Sequence, residues 1–526
     1  SDCASRRPGF KEAVLTQHCV QPRRRSEMLH SQRAAWLRVA STRRFSALSQ
    51  PSKARSRLQR VGIAAAVVGA PFAGFAAYEK FQYMRAPALK PVKEAEMPLD
   101  IQQWGKFDVV VVGGGIIGLA TANEVLKRFP EMTVAVVEKE AEVAAHQSGH
   151  NSGVIHAGMY YEPGTVMAKC CVEGAQMIYD YATKKGIPHE RVGKLICAPS
   201  EAGHKMVEEL YKRGTANGVK DLRILMRDEV KELEPNVDVY SALDSPNTGI
   251  IDYGDVTRHL AKDLAATGRG KLELRYEVKE VKTVTGQDGK KEVEVRGVEP
   301  GQCGPLKVIQ AKNVITCGGV HMDTLGKMTG GAANPKVMTF RGRYYQMKPE
   351  FRNIVKRNVY PVPSGGGIPV GVHFTPTCGG YRQQQMIIGP GACMTFHKEG
   401  YSFFQTDLKY LWNQCVTNQG FWMFAIKNLK LSFGELLKDA AKPVFLAEAR
   451  QLVPSLTPDM VEDSFTGVMA QVFMEDGTAA KDYIFERNLL DGTTLNLRNA
   501  PSPAATSSMA IAKELVNCAV QDFNWA

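Results

Sequence analysis

The stretch 107-FDVVVVGGGIIGLATANEVLKRF-129 decides the fold of this 526-residue chain. Its valine-rich start is typical of a strand that is buried on both faces. Gly113 permits a tight turn, Gly115 lets the backbone approach a pyrophosphate, and Gly118 lets helix and strand pack closely. The helix that follows, near Ile117, begins with exposed N–H groups and a partial positive charge, which together favour a phosphate.

A second apolar run, 133-TVAVVEK-139, predicts the next strand of the same sheet. It ends in Glu138, twenty residues past Gly118, where dinucleotide-binding folds place the acid that bonds an adenosine ribose. Strand, glycine turn, helix, strand and acid in this order predict an α/β protein with a Rossmann-like domain.

Two further segments favour FAD over NAD. The segment 146-HQSGHNSGVIHAGMYY-161 follows the second strand, where flavin would be wrapped by the chain. Near the other end, 498-RNAPSPAATSSMAIAKELV-516 places small residues and prolines directly before a helix. The start of that helix can aim its N–H groups at a flavin ring and stabilise the negative charge of the reduced form.

With four other motifs, these segments resemble the L-2-hydroxyglutarate dehydrogenases, FAD enzymes of the D-amino-acid-oxidase superfamily. The added motifs are TGIIDYGDV (248–256), FRG (340–342), YPVP (360–363) and GVHFT (371–375). The resemblance runs from about Phe107 to about Lys513. It implies oxidation of a small 2-hydroxy dicarboxylic acid, L-2-hydroxyglutarate, to 2-oxoglutarate, with electrons passed to quinone or another respiratory-chain acceptor. No attachment signature is present, so we expect the FAD to be non-covalent.

The resemblance and the composition predict an FAD-binding domain interleaved with a mixed-sheet α+β substrate domain. The predicted FAD-binding segments are 107–186, 246–330 and 466–526, and the predicted substrate-domain segments are 187–245 and 331–465. Glycine-containing hairpins are expected around Asp288-Gly289 and Asp476-Gly477.

The first hundred residues predict targeting and attachment to a membrane. Residues 1–60 hold fourteen basic and three acidic side chains, a balance of +11 within a total of +12, so the remainder carries only +1. A basic leader on a near-neutral body indicates a mitochondrial transit peptide and not a nucleic-acid surface. The uncharged run within 61–84 spans about 27 Å as a helix, close to a hydrocarbon core of about 30 Å. We therefore expect an inner-membrane anchor helix there, possible membership of a membrane complex, and a linker over 85–106.

The candidate site residues fall into three groups. The predicted cofactor-binding residues are Gly113, Gly115, Ile117, Gly118, Glu138, Lys139, His146, His150, Asn151, Ser152, Gly153, Gly318, Asn499, Pro501, Ser502, Pro503 and Ala505. The predicted catalytic residues are His373 and His156, because imidazole transfers protons near neutral pH. The predicted substrate-binding residues are Tyr160, Tyr161, Arg341, Arg343 and Arg498, as phenol donors and as cationic forks for carboxylates.

A metal site is not expected. His146, His150 and His156 have spacings that metal ligands can adopt, but neither an acid nor a cysteine joins them in the sequence. The eleven cysteines form no CxxC pair, which indicates reduced thiols and not a zinc site.

Three positions depart from the pattern of the family. Arg343 stands where an acid usually follows FRG, Met469 replaces the arginine of GVRAQ, and Gly391 replaces the usual asparagine. Two alternatives therefore stay open: a related flavoenzyme that acts on another hydroxy acid or an amine, and a non-catalytic FAD-holding subunit of a mitochondrial membrane complex.

Overall fold

The structure, a computed structural model, describes residues 101–301, 305–363, 371–379 and 384–525. The predicted leader, the predicted anchor helix and most of the predicted linker lie outside the described residues. Within the described part of the chain, every helix is too short or too polar to cross a bilayer.

The described residues form strands of two to thirteen residues. In chain order they are β1 Ile101–Val112, β2 Val134–Val137, β3 Val154–Ile155, β4 His189–Glu190, β5 Lys194–Ala198, β6 Arg223–Met226, β7 Ser241–Ser245, β8 Gly249–Ile251, β9 Gly270–Glu273, β10 Glu277–Thr285, β11 Lys291–Val298, β12 Leu306–Thr316, β13 Lys336–Met347, β14 Asn358–Pro361, β15 His373–Pro376, β16 Met386–Gly389, β17 Cys393–Met394, β18 Val461–Phe473, β19 Ile484–Leu489 and β20 Thr494–Asn499.

Helices connect these strands on both sides of the sheets. They are α1 Ile116–Arg128, α2 Val166–Lys185, α3 Glu201–Ala216, α4 Arg227–Leu233, α5 Tyr253–Ala266, α6 Met322–Met328, α7 Leu408–Leu411, α8 Gln419–Lys427, α9 Leu429–Ala440, α10 Lys442–Ala449 and α11 Ala504–Phe523. A π-helical turn, Trp412–Val416, follows α7 directly.

The first large sheet has a parallel core with the strand order β9, β2, β1, β12 and β20. β11 pairs antiparallel with the first half of β12, and β10 pairs antiparallel with β11. β19 pairs antiparallel with β20. β12 therefore returns the chain to the same sheet as β1, and the hairpin predicted around Asp288-Gly289 is confirmed.

Alternate valines of β1 explain why its sequence is apolar without a break. Val109 and Val111 pack into a core with the helices α1, α2, α5 and α11, whereas Val110 and Val112 pack into a second core on the other face of the sheet. All four side chains are buried, as expected for a strand covered on both faces.

The second large sheet is mixed and has the order β17, β13, β16, β15, β14, β5, β7 and β6, with β18 paired along β13. Its core is formed by residues from 195 to 461. The predicted α/β class, with parallel and antiparallel sheets, is confirmed. β3, β8 and β4 form a small third sheet whose strands pair only with one another.

The division into domains stays a prediction, and three details differ from the sequence-based expectation. β1 begins at Ile101, before the predicted boundary at Phe107, and β18 runs on to Phe473, past the predicted boundary after residue 465. The chain does turn at Asp476-Gly477, but only the bridge between Phe473 and Ala479 follows it, because the next strand, β19, pairs with β20 instead.

Candidate active site

A cavity of about 330 Å³ is lined by residues of both large sheets. Leu497 of β20 contributes from the first sheet, and Phe340 and Gly342 of β13 contribute from the second. The two segments that were predicted to meet at a cofactor, the turn after β1 and the start of α11, both reach this cavity.

At one end of the cavity the wall is made by the glycine turn. Gly113 has a φ of +116°, and a Cβ atom there would collide with the carbonyl oxygen of Cys317. A Cβ atom on Gly118 would collide with the carbonyl oxygen of Gly113. Gly115 caps α1 without a side-chain hydrogen bond, and the first turn of that helix holds no acid. The positive end of the helix therefore faces a space that suits a pyrophosphate.

The start of α11 is fixed against the segment that carries His156. The hydroxyl of Thr506 accepts a hydrogen bond from the backbone N–H of His156 at 3.1 Å and contacts the Tyr253 hydroxyl at 2.7 Å. The first turn of α11 has no side-chain cap and no acid. Its dipole is thus available to a negatively charged ring in the cavity.

Ten of the predicted cofactor residues line the cavity, and the others surround it. Those in the wall are Gly115, Ile117, His150, Asn151, Ser152, Gly153, Pro501, Ser502, Pro503 and Ala505; those outside the wall are Gly113, Gly118, Glu138, Lys139, His146, Gly318 and Asn499. Glu138 nevertheless lies at the turn, where its Oε2 accepts a hydrogen bond from the backbone N–H of Gly114 at 2.8 Å.

His373 lies in the opposite wall with one ring nitrogen free. Its Nδ1 lies 2.9 Å from the carbonyl oxygen of Gly371, and since a carbonyl only accepts, Nδ1 carries the proton. Nε2 is buried and has no hydrogen-bond partner among the described residues. Burial lowers the pKa of His373 to about 3, although the bond to Gly371 opposes this shift; the charge of Lys194 lowers it further. The imidazole is therefore neutral, with a lone pair on Nε2.

His156 also lines the cavity. Burial holds its pKa well below the usual value, and the charges of Lys194 and His373 act in the same direction. Both predicted catalytic histidines thus reach one cavity, and both are neutral there near pH 7.

An aromatic stack supports His373. The ring of Tyr360 lies parallel to the imidazole, with 3.7 Å between the centroids and 16° between the planes. The predicted residues Tyr160 and Tyr161 line the cavity as well, and burial raises the pKa of each phenol well above its usual value. These three hydroxyls are therefore neutral hydrogen-bond donors at physiological pH.

Lys194 is the residue of this site that the sequence analysis missed. Its side chain is 1% exposed, its Nζ has no hydrogen-bond partner among the described residues, and it lies 3.5 Å from the centroid of the Tyr360 ring. Burial lowers its pKa to about 7. A lysine at the head of the apolar strand KLICA (194–198) was the signal available in the sequence, because a buried lysine needs an explanation.

The three predicted substrate arginines do not line the cavity, which corrects the sequence analysis. Along β13, Phe340, Gly342 and Tyr344 face the cavity, so Arg341 and Arg343 between them point to the other face. Arg341 pairs with the buried Asp439, and Arg343 pairs with Asp463 at 2.9 Å.

Arg498 is equally remote from the cavity wall. It is buried, pairs with Glu486 at 2.5 Å and donates to the carbonyl oxygens of Ala332 and Pro335. Its donors hold the segment after α6 against β19 and β20. Met469, by contrast, lines the cavity at the position where the family pattern has an arginine.

The predicted cofactor residues Lys139 and His146 belong to an ionic network outside the cavity. The ligand atoms of Glu140, His146 and Glu399 come within 4.8 Å of one another, although no acid was expected beside these histidines. Lys139 contacts Glu140 and lies 2.8 Å from Glu399, so its ammonium already supplies the positive charge. Burial alone would raise the pKa of Glu399, but hydrogen bonds from His321 and Lys139 hold it well below its usual range.

A Rossmann-like sheet whose glycine turn opens into a cavity is typical of dinucleotide-binding proteins, and comparison with known families identifies this one as a flavoprotein oxidoreductase. The family described as FAD dependent oxidoreductase matches residues 108–518. The mitochondrial L-2-hydroxyglutarate dehydrogenase of Nematostella vectensis is 38% identical over 434 residues, which cover 81% of this chain and 93% of that protein. The human protein of the same description is 36% identical over 429 residues, covering 79% of this chain and 89% of that protein.

The chain belongs to the L-2-hydroxyglutarate dehydrogenase family of FAD-dependent oxidoreductases. It is an enzyme of that class, with FAD as its cofactor, and both sequence-based predictions are confirmed. Among solved structures, L-alpha-glycerophosphate oxidase from Mycoplasma pneumoniae with FAD bound aligns at a TM-score of 0.62 and 25% identity, over 80% of this chain and 95% of that chain. Glycine oxidase from Geobacillus kaustophilus has the same fold at a TM-score of 0.56 and 17% identity, over 79% of this chain and 95% of that chain.

Proposed function

We propose that this enzyme oxidises L-2-hydroxyglutarate to 2-oxoglutarate in mitochondria, with FAD held non-covalently and electrons passed to quinone. Relatives of this activity align over about nine-tenths of their own length, which supports the substrate class and the compartment. The observation that carries the chemistry is the free Nε2 of His373, buried in the cavity and held in its accepting tautomer by the carbonyl oxygen of Gly371.

The cofactor end of the cavity is where we place FAD, which supplies the acceptor for the hydride that leaves the carbinol carbon. We assign its binding to the predicted residues that line the cavity, together with Gly113, Gly118 and Glu138 at the turn. A wall free of acids, to which the starts of α1 and α11 both contribute, fits a negatively charged dinucleotide. The roles of Lys139, His146, Gly318 and Asn499 stay predictions.

His373 is our candidate for the general base. The substrate hydroxyl would donate to Nε2 and transfer its proton there as the carbinol carbon is oxidised. An anionic substrate beside the ring raises the pKa of the imidazole, because negative charge favours the protonated form. Basicity therefore increases when the substrate binds.

His156, Tyr160 and Tyr161 would orient the substrate. Their side chains line the same cavity as Nε2 of His373, and at neutral pH the phenols donate hydrogen bonds without adding negative charge. Arg341, Arg343 and Arg498 are left out of this proposal, because their side chains have partners elsewhere.

A helical surface supports the proposed location at the inner membrane. Between residues 403 and 444 many large apolar side chains are exposed, among them Leu408, Trp412, Trp422, Ile426, Leu429 and Phe433. Lys409, Lys427 and Lys430 are exposed in the same segment, whereas Glu435 and Asp439 are buried. Asp407 is half-buried, so none of the described acids within 403–444 is exposed, and an apolar and basic segment of this kind complements an anionic lipid bilayer.

Vesicle binding tests this location. The purified enzyme should co-sediment with vesicles of anionic phospholipid and less with zwitterionic vesicles. Replacing Trp412 and Phe433 together by serine should weaken binding at least about tenfold, because both side chains lose apolar contact with lipid. Met226→Ser is the control, since Met226 is also an exposed apolar side chain but lies outside this surface. Equal sedimentation of all variants would contradict the assignment.

Flavin reduction without oxygen tests the activity. L-2-hydroxyglutarate should bleach the flavin of the purified enzyme within one turnover, whereas the D isomer should not. If another hydroxy acid or an N-methyl amino acid bleached the flavin instead, the second candidate function would be favoured, that of a related flavoenzyme with a different substrate. Met469 supports this candidate, because it leaves the cavity wall without the charge that the family pattern has there. A flavin that none of these compounds reduces, in a protein that co-purifies with respiratory subunits, would favour a non-catalytic role.

A further inference from the structure

An anionic substrate needs a positive charge, and the wall of the cavity lacks one. Among the described residues that line it there is neither a lysine nor an arginine. Met469 stands where the family pattern has an arginine, and the arginines of β13 point away. A charge-assisted hydrogen bond to a carboxylate is among the strong ones, so some other group must offset this loss if a dicarboxylate binds.

Behind the wall lies a buried ammonium, that of Lys194, which has no hydrogen-bond partner among the described residues. The ammonium of Lys194 lies 3.5 Å from the ring centroid of Tyr360 and 4.7 Å from that of Tyr160, and both rings line the cavity. His373 stacks on Tyr360 at 3.7 Å. If the ammonium of Lys194 and the imidazole of His373 were on the same face of the Tyr360 ring, at these distances from its centroid they would overlap. Lys194 and His373 therefore lie on opposite faces of the Tyr360 ring.

The strand register explains why this lysine faces the site. Lys194 of β5 is paired with Asn358 of β14, two residues before Tyr360, so both side chains lie on the same face of the second sheet. Asp244 of β7 is paired with Leu195 and lies on the other face, where Arg223 and Arg357 bind it. No described carboxylate hydrogen-bonds Lys194, and such a buried ammonium carries a large desolvation penalty.

We infer that Lys194 supplies the countercharge for a carboxylate of the substrate, acting from behind Tyr160 and Tyr360 as a specificity-determining residue. This inference rests on the proposed function. In a water-poor site a charge acts over several ångströms, because little solvent screens it. The ammonium thus favours the binding of an anion in the cavity. Conversely, the desolvation penalty of the buried ammonium is compensated only when the anion is bound.

Substitution by a neutral side chain of similar length tests the inference. Lys194→Met should weaken the binding of 2-oxoglutarate, followed through the absorption spectrum of the oxidised flavin, about ten- to a hundredfold. The same variant should keep its FAD and melt at the wild-type temperature or above it, because it removes an unpaired buried charge. A purely structural lysine would give the opposite result, a lower melting temperature with unchanged affinity.

Lys307→Met is the matched control. Lys307 is also buried and lies over an aromatic ring, Trp104, at 4.4 Å, but it belongs to the first sheet outside the cavity wall. Its substitution should leave the affinity for 2-oxoglutarate unchanged. Unchanged affinity in an FAD-replete Lys194→Met variant would overturn the inference while leaving the proposed function intact.

The wild-type enzyme provides a second measurement that needs no variant. The pKa of Lys194 is lowered to about 7, so its charge is present below this pH and is lost above it. The groups that face it, His156, His373, Cys171, Tyr160 and Tyr360, have pKa values shifted away from this region. Binding of 2-oxoglutarate should therefore take up a proton at pH 8, and its dissociation constant should rise up to tenfold per pH unit above 7.

Calorimetry in buffers of different ionisation enthalpy measures this uptake. Affinity that is constant from pH 6 to 9, without proton uptake, would overturn the inference. If the wild type neither binds 2-oxoglutarate nor is bleached by L-2-hydroxyglutarate, the proposed function fails first, and the inference about Lys194 fails with it.

Discussion

At the end of the cavity that we propose for the cofactor, the wall consists mainly of backbone and small side chains, whereas at the end proposed for the substrate it consists of imidazole, phenol and thioether groups. Gly115 and Ala505 represent the first end; His373, Tyr160 and Met469 represent the second. Binding at the first end depends on close approach of the backbone to the ligand and on helix dipoles, so it is sensitive to changes in side-chain volume. Binding at the second end depends on hydrogen bonds and charge, so it is sensitive to changes in the functional groups of the side chains.

The comparison teaches that the two ends tolerate different substitutions. An added methyl group at the glycine turn should remove the cofactor, whereas a change of side chain at the substrate end should leave the flavin bound and alter reactivity or affinity. Four substitutions test this contrast.

Gly118→Ala should have the largest effect. Its Cβ atom would collide with the carbonyl oxygen of Gly113, so helix α1 cannot keep its position against the turn. We expect the purified variant to lack FAD, as measured by the ratio of flavin to protein absorbance. Gly434→Ala is the control, because a Cβ atom there meets nothing within 4 Å in helix α9. A Gly118→Ala variant with a full complement of FAD would contradict the proposed phosphate site.

His373→Asn should retain FAD but reduce flavin about 10²- to 10⁴-fold more slowly, the usual effect of removing a general base. Anaerobic stopped-flow measurement with L-2-hydroxyglutarate gives this rate directly. His259→Asn serves for comparison, since its Nδ1 also contacts a backbone oxygen but its ring lies outside the cavity wall. Similar rates for the two variants would exclude His373 as the base.

Met469→Arg should increase affinity for 2-oxoglutarate about ten- to a hundredfold, because it restores a cation to the cavity wall. The dissociation constant follows from titration of the oxidised flavin spectrum. Met469→Leu, which conserves volume without charge, should change little. If the arginine variant bound no more tightly than the leucine variant, Met469 would not face the carboxylates.

Arg343→Gln should have the smallest effect. Its guanidinium pairs with the exposed Asp463 on the face of β13 that points away from the cavity. Exposed ion pairs contribute about 0–1 kcal/mol, so we expect a slightly lower melting temperature and a KM within twofold of the wild type. A large increase in KM would show that Arg343 reaches the substrate after all.

Much of the first sheet could be predicted from the sequence, because each of its elements is encoded in one continuous stretch. The run around Val109 to Gly118 specifies strand, turn and helix together, and Glu138 follows at a fixed spacing. The start of α11 was also predicted as a flavin contact, from small residues and prolines that directly precede a helix, although it lies nearly four hundred residues after the glycine turn in the chain.

The substrate end resisted prediction, because it depends on which face of a strand each side chain occupies. Of the motif FRG, Phe340 and Gly342 line the cavity but Arg341 does not, and the sequence alone does not determine which residues of a strand face a given side of the sheet. Lys194 was missed because a single lysine in an apolar strand gives no spacing pattern. Its proximity to the cavity can be recognised only in the folded structure, where β14 places Tyr360 beside it.

The bond from the His156 N–H to the Thr506 hydroxyl joins segments 350 positions apart along the chain. Until the segment that contains Thr506 has been synthesised and folded back, the cavity lacks the part of its wall that the start of α11 supplies. A fragment that stops short of this segment would therefore present phosphate-binding glycines to solvent without retaining a nucleotide. We therefore expect cofactor retention to require this segment, so that flavin content would report on chains that contain it.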